Sequence, residues 1–150
     1  MPEPVIGETA GIIPGLDGRK MSKSYDNTIP LFAPESELKK KIMRIITDSK
    51  TPDEPKNPDE STIFQLYCHF ADTDEIAKFR EMFLAGGMGY GTAKTILFDK
   101  VNSVLSDARR EYERLMANTV ELDAILADGA ARARTVADKT IERVKRAMLG

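Results

Sequence analysis

Thiols and imidazoles are almost missing from this chain: Cys68 is the only cysteine and His69 the only histidine in 150 residues. A lone thiol excludes an intramolecular disulfide, and one residue of each kind excludes a Cys/His metal cage, so no metal site is expected. Without a second histidine a Ser-His-Asp machine elsewhere in the chain is excluded as well. The adjacency of Cys68 and His69 does not make a catalytic pair, because neighbours on a helix point to different faces; both read as structural. Long apolar runs are lacking: none approaches the about 20 residues of a membrane span. Met1-Pro2-Glu3-Pro4 has neither the basic nor the apolar region of a secretion signal, so a cytoplasmic protein with no membrane contact is expected. The net charge is only −2, which leaves any grip on nucleic acid to local patches. What is present, 41% apolar and 31% charged residues, is the composition of a globular chain with enough apolar surface for a single core.

Proline is absent from everything after Pro58: all eight prolines fall in the first 58 residues. That asymmetry divides the chain. Residues 1–33 combine four prolines and four glycines with short apolar runs, Ile12-Ile13 and Ile29 to Phe32, and predict loop with at most a short strand, unable to fold alone. From Pro34 to residue 150 the pattern is helical. Pro34, Glu35 and Glu37 suit a first turn, and Leu38, Ile42, Ile45 and Ile46 recur at helical spacing opposite Lys39, Lys40, Lys41 and Arg44. Prolines among charges over 50–60 predict an extended connector across the surface of one bundle.

The helices that follow have legible ends. Asp59 or Ser61 caps a helix burying Ile63, Leu66, Tyr67 and Phe70, and Asp72 with Glu75 forms a capping box ahead of Ile76, Phe79 and Phe83. Those aromatics lie on the apolar stripe without interleaved basic residues and read as core, not as a base-stacking platform. Gly86 to Gly91 reads as a tight interhelical corner, with Thr92 capping the next helix. Asn118 with Glu121 opens another helix, expected to break at Gly129 before a basic last helix from Arg132 to Arg146. The sum is a mainly α fold: an antiparallel bundle of about six helices behind an irregular N-terminal segment.

One stretch is built differently. Gly18-Arg19-Lys20-Met21-Ser22-Lys23-Ser24-Tyr25-Asp26-Asn27-Thr28 has little to bury and turn formers at both ends. Lys20 and Lys23 supply compact charges on flexible stems, and Ser22 and Ser24 supply the directional donors that a phosphate oxygen needs. The segment reads as an exposed anion-binding loop.

The string Lys20-Met21-Ser22-Lys23-Ser24 is identical to the signature loop of class I aminoacyl-tRNA synthetases. The likeness continues through Gly15-Leu16-Asp17-Gly18-Arg19 before the loop, Lys40-Lys41-Ile42-Met43-Arg44 with Thr47-Asp48, Phe64-Gln65-Leu66-Tyr67, Ala85 to Gly91 with Lys94, and Asp128-Gly129-Ala130. In this order the chain resembles the C-terminal part of bacterial tryptophanyl-tRNA synthetases, beginning just before the loop. Asp26 departs from the Gly or Asn usual after the loop's tyrosine, Ile12-Ile13 stands where an arginine is frequent, and no counterpart of the family's nucleotide-binding domain is present.

The resemblance implies an ATP- and Mg2+-dependent tryptophan-tRNA ligase, homodimeric when intact, acting on tryptophan, ATP and tRNA(Trp). It implies that Lys20 and Lys23 are catalytic, that Lys20, Met21, Ser22, Lys23 and Ser24 bind the ATP phosphates, and that residues 1–33 are a segment of the catalytic domain. Residues 34–150 would be the anticodon-binding region, with its tRNA-contacting residues unassigned. A fragment without the nucleotide-binding domain is expected to be inactive alone and to hold no cofactor tightly. An autonomous helical RNA-binding module without catalysis and a tyrosine-specific relative stand as alternatives; the second fits the 85–91 string less well.

Overall fold

The computed structural model describes residues 11–149. The reading of Met1-Pro2-Glu3-Pro4, and the start of the 1–33 segment, lie outside the described residues. A 3-10 turn at Lys23–Tyr25 precedes five α-helices: α1 (Glu35–Met43), α2 (Thr62–Tyr67), α3 (Thr73–Ala85), α4 (Tyr90–Ala117) and α5 (Thr119–Leu149). Among the described residues there is no strand, only an isolated antiparallel bridge between Pro14 and Lys20. The chain divides into two compact units, Met1–Arg109 and Arg110–Gly150, so the division falls inside α4.

In the first unit the helix starts are set by the expected chemistry. The Pro34 carbonyl accepts from the amides of Glu37 and Leu38, and Glu35 and Glu37 face the positive end of α1. Ser61 caps α2 through the Phe64 amide (3.4 Å), and Asp72 and Glu75 make both bonds of a capping box on α3. The buried stripes of α1 to α4 converge on one core of Leu38, Ile42, Ile63, Phe79, Phe83 and Leu97 with their neighbours. Its centre is aromatic: Phe79 meets Phe83 edge-on at 5.0 Å and Tyr67 at 4.4 Å, while Phe64 stacks on Phe79 at 5.9 Å. All four rings are buried; Tyr67, Phe79 and Phe83 are where the stripe predicts, whereas Phe64 takes the buried place expected of Phe70, which is only half-buried. Cys68 and His69 fall just past the end of α2 instead of within it; Cys68 is half-buried, with its thiol pushed up by burial, and His69 is exposed. Arg109 is buried with one bond, Nη1 to Asn102 Oδ1 (2.7 Å), while its Nε and Nη2 have no partner.

Four details differ from the sequence reading. Helix α1 ends at Met43, so Ile46 leaves the helical phase and is 66% exposed, its amide bonding the Leu16 carbonyl. Helix α4 begins at Tyr90, with Gly89 accepting from the Ala93 amide, so Thr92 lies in the first turn and does not cap it. The 50–60 connector is not extended. Lys56, only 2% exposed, donates through Nζ to the carbonyls of Thr51 (2.9 Å), Pro52 (3.2 Å) and Glu54 (2.9 Å), which winds the segment around its ammonium.

The fourth difference is the helix count, five against about six. In the second unit α5 runs through Gly129 without a break. One glycine costs a helix only about 1 kcal/mol relative to alanine, and here Ala127, Ala130 and Ala131 lie within two residues of it while Asp128 and Arg132 pair across it at 3.0 Å. The Asn118 side chain accepts from the Glu121 amide through Oδ1 (3.3 Å) and donates through Nδ2 to the Glu121 carboxylate (3.0 Å), as expected for the start. No residue of α5 is buried; Leu126, Val136, Ile141 and Val144 lie exposed along it.

Candidate functional site

The lysine-serine loop grows from a tight reversal of the chain. Gly15 donates to the Arg19 carbonyl (2.7 Å), Met21 to the Ile13 carbonyl (2.8 Å), and Gly18 turns the corner at φ 77°. The corner is held from outside by Asp17, which pairs with the Arg19 guanidinium at 2.6 Å. A second return brings Asn27 back under the loop, where it is 3% exposed and its carbonyl accepts from Leu16 (2.9 Å).

Between these supports the signature residues take distinct positions. Lys20 and Lys23 are exposed, and among the described residues neither ammonium has a hydrogen-bond or ion-pair partner. Met21 is half-buried, packed against the core, and lines an apolar cavity of about 270 Å3 with Ile13, Ile29, Leu66 and Leu97. It therefore anchors the loop to the core. Ser22 caps the 3-10 turn: its hydroxyl accepts from the Ser24 amide (3.3 Å) and shares a hydrogen bond with the Ser24 hydroxyl (2.8 Å). The turn closes at Asp26, in the left-handed region at φ 50°, and Arg19 lies over the Tyr25 ring at 4.7 Å.

The result is a rigid base under an exposed tip that presents two uncompensated ammoniums and a hydroxyl pair. That arrangement suits an anion with several oxygens. The only carboxylate within the tip is Asp26, so the donor set suits a phosphate chain better than a bare cation, and Mg2+ fits here only as the phosphates' own companion. Among the described residues no group of acidic, histidine or cysteine side chains could hold a metal ion.

Sequence reasoning located the loop and its lysines but missed what holds them. Asn27 was legible only as a turn former, and Gly15 only as one glycine among several. The corner at Gly86–Tyr90 likewise proves to be a fastening: Tyr90 donates to Asp48 Oδ1 (2.7 Å), Lys94 to the Met43 carbonyl at the end of α1 (3.1 Å), and a Cβ on Gly86 would stand 2.5 Å from the Asp53 carbonyl.

Comparison with known proteins gives this geometry a context. The chain is 48% identical over 148 residues to the tryptophan-tRNA ligase of Pseudomonas aeruginosa, covering 99% of this chain and 33% of the relative. It is 48% identical over 134 residues to that of Xanthomonas axonopodis pv. citri, covering 89% and 31%. The crystal structure of tryptophanyl-tRNA synthetase from Campylobacter jejuni, complexed with ADP and tryptophan, superposes with a TM-score of 0.86 at 35% identity, covering 96% of this chain and 45% of that one. The chain thus spans about a third of the length of the curated ligases it matches. The model of the class I tRNA synthetases for W and Y matches residues 1–106, a stretch that holds the whole loop and its supports, and the chain belongs to that family.

Proposed function

We propose that this chain is the part of a tryptophan-tRNA ligase that carries the phosphate-binding loop and the helical region behind it. In the complete ligase, tryptophan is activated with Mg-ATP and passed to tRNA(Trp). The observation that carries this reading is the pair of exposed, unpartnered ammoniums of Lys20 and Lys23 on a loop whose base is fixed. Activation moves negative charge onto departing pyrophosphate, and positioned cations that meet charge developing in the transition state raise the rate.

Lys20 and Lys23 bind the β- and γ-phosphates and steady them as they leave. Ser22 and Ser24 add hydroxyl donors, and Met21 fixes the loop to the core. Mg2+ neutralises the phosphate chain when bound. Residues 1–33 belong functionally to the catalytic part, and residues 34–150 serve tRNA, with phosphate contacts from the exposed Lys39 and Lys40 of α1 and Arg44 just past its end. The complete ligase works as a cytoplasmic homodimer. Among the described residues no helix is long and apolar enough to cross a membrane, which is compatible with that setting.

The test is titration of the 150-residue chain with pyrophosphate by calorimetry. Saturable binding that is lost in Lys20→Ala and Lys23→Ala supports the reading, and unchanged affinity in the double variant refutes it. In a complete ligase built around this loop, either substitution is expected to slow adenylate formation by about 10²-fold.

A further inference from the structure

Neither lysine ammonium of the loop touches the groups that fix its shape, and those groups meet at one side chain. Asn27 lies beneath the loop, 3% exposed, and uses its carboxamide on both sides. Its Oδ1 accepts from the Ser22 amide at 2.8 Å, and its Nδ2 donates to Asp17 Oδ1 at 2.7 Å and to the Lys20 carbonyl at 3.1 Å. One side chain therefore ties the residue before the corner, the backbone of the first lysine and the residue that caps the second lysine's turn. Gly15 leaves the room: a Cβ there would stand 2.3 Å from Asn27 Cγ.

We propose that Asn27 is the positioning residue of the phosphate-binding loop, holding Lys20 and Ser22 in the conformation that accepts the anion while never touching the anion itself. This rests on the reading of the loop as a pyrophosphate site. The carboxamide suits the task because it donates and accepts at once. Aspartate would lose both donated bonds and set a second carboxylate against Asp17, whose own carboxyl is held below the usual range chiefly by the Asn27 bond. Alanine would free the Ser22 amide and the Lys20 carbonyl to seek water. In either case the loop spreads over more conformations, and apparent affinity falls in proportion to the competent fraction.

The experiment titrates the 150-residue chain with inorganic pyrophosphate by calorimetry and follows Ser22 amide exchange by NMR. Asn27→Ala, which leaves net charge unchanged, is expected to bind about tenfold more weakly, as when the competent conformation falls to about a tenth of the population. Its Ser22 amide exchanges faster, while the thermal midpoint of the helical core stays close to that of the parent. Gly15→Ala is expected to do the same by expelling an intact Asn27, and it serves if Asn27→Ala does not fold. Asn27→Asp is weaker still, and the exchange of partners in Asp17→Asn with Asn27→Asp, which restores the bond between the two side chains but not the one to the Lys20 carbonyl, regains part of that loss. Parent-like affinity in Asn27→Ala and Gly15→Ala overturns the proposal, as does a double variant that folds but regains nothing. A parent chain that binds no pyrophosphate, or binds it equally well as Lys20→Ala, refutes instead the underlying reading of the site, and the proposal with it.

Discussion

Asp26 shows how one residue serves geometry at some cost to charge. It closes the 3-10 turn at φ 50°, with its amide bonded to the Lys23 carbonyl at 3.2 Å. Glycine enters that region freely, and asparagine and aspartate enter it more readily than other residues, which accounts for what the family prefers there. Aspartate meets the conformational demand but sets a negative charge beside two ammoniums. Asp26→Asn keeps the conformation and removes the charge, so pyrophosphate affinity of the chain should rise by about twofold, the scale of an exposed charge pair. The gain should shrink as salt is raised in the titration, since such interactions are screened. The charge of Asp26 was legible in the sequence, and its left-handed backbone was not, because that depends on how the chain returns to bury Asn27. For the same reason the lysines could be named from residue chemistry, whereas their support spans Asp17 to Asn27 and becomes visible only once the turn is built.

At the scale of elements, the connector between α1 and α2 and the corner between α3 and α4 hold each other. Lys56 bonds three carbonyls of its own segment and lies over the Tyr90 ring at 5.3 Å; its amide donates to the Phe83 carbonyl at the end of α3 (2.8 Å). Lys56→Met keeps the stem's packing but strands the carbonyls, and should lower the unfolding free energy by about 1–3 kcal/mol in a urea titration.

The same junction should be sensitive to acid. Asp48 is held below the ordinary carboxylate range chiefly by the Tyr90 hydroxyl, and Glu54 chiefly by the Thr51 amide. A carboxyl depressed in the folded state adds stability above its unfolded value and forfeits it as pH falls through its folded value. With unfolded values of 3.8 and 4.5, stability should be level down to about pH 5 and fall below that. Urea midpoints measured against pH should show the fall, and Asp48→Asn should flatten part of it. Prolines at a regular interval suggested an extended connector, but they say nothing about where a lysine between them sends its ammonium. The fastening depends on Gly86 and Tyr90, about thirty residues away, and no local pattern signals such a contact.

Across the whole molecule, apolar surface is distributed unequally between the two units. The first has a continuous core with rings at its centre, whereas no side chain of α5 is buried. Helical stability comes mainly from packing of an apolar face, so the second unit should open at far lower free energy than the first. Amides of residues 125–145 should exchange much faster than those of Phe79 and Phe83, and urea should melt the chain in two steps by circular dichroism. Coincident, uniformly slow exchange would contradict this. The helical class of the fold was legible from spacing and capping residues, because those signals act within a turn or two. The unbroken course of α5 was not, since a glycine's cost is set against whatever good helix formers surround it.

The lone, half-buried thiol past α2 makes this chain a convenient background for optical probes. Burial raises the Cys68 thiol and so leaves little of the reactive thiolate at neutral pH. A second cysteine placed at the loop tip, as in Tyr25→Cys, would be alkylated first by a maleimide dye, and its emission would then report the arrival of pyrophosphate at the loop in real time.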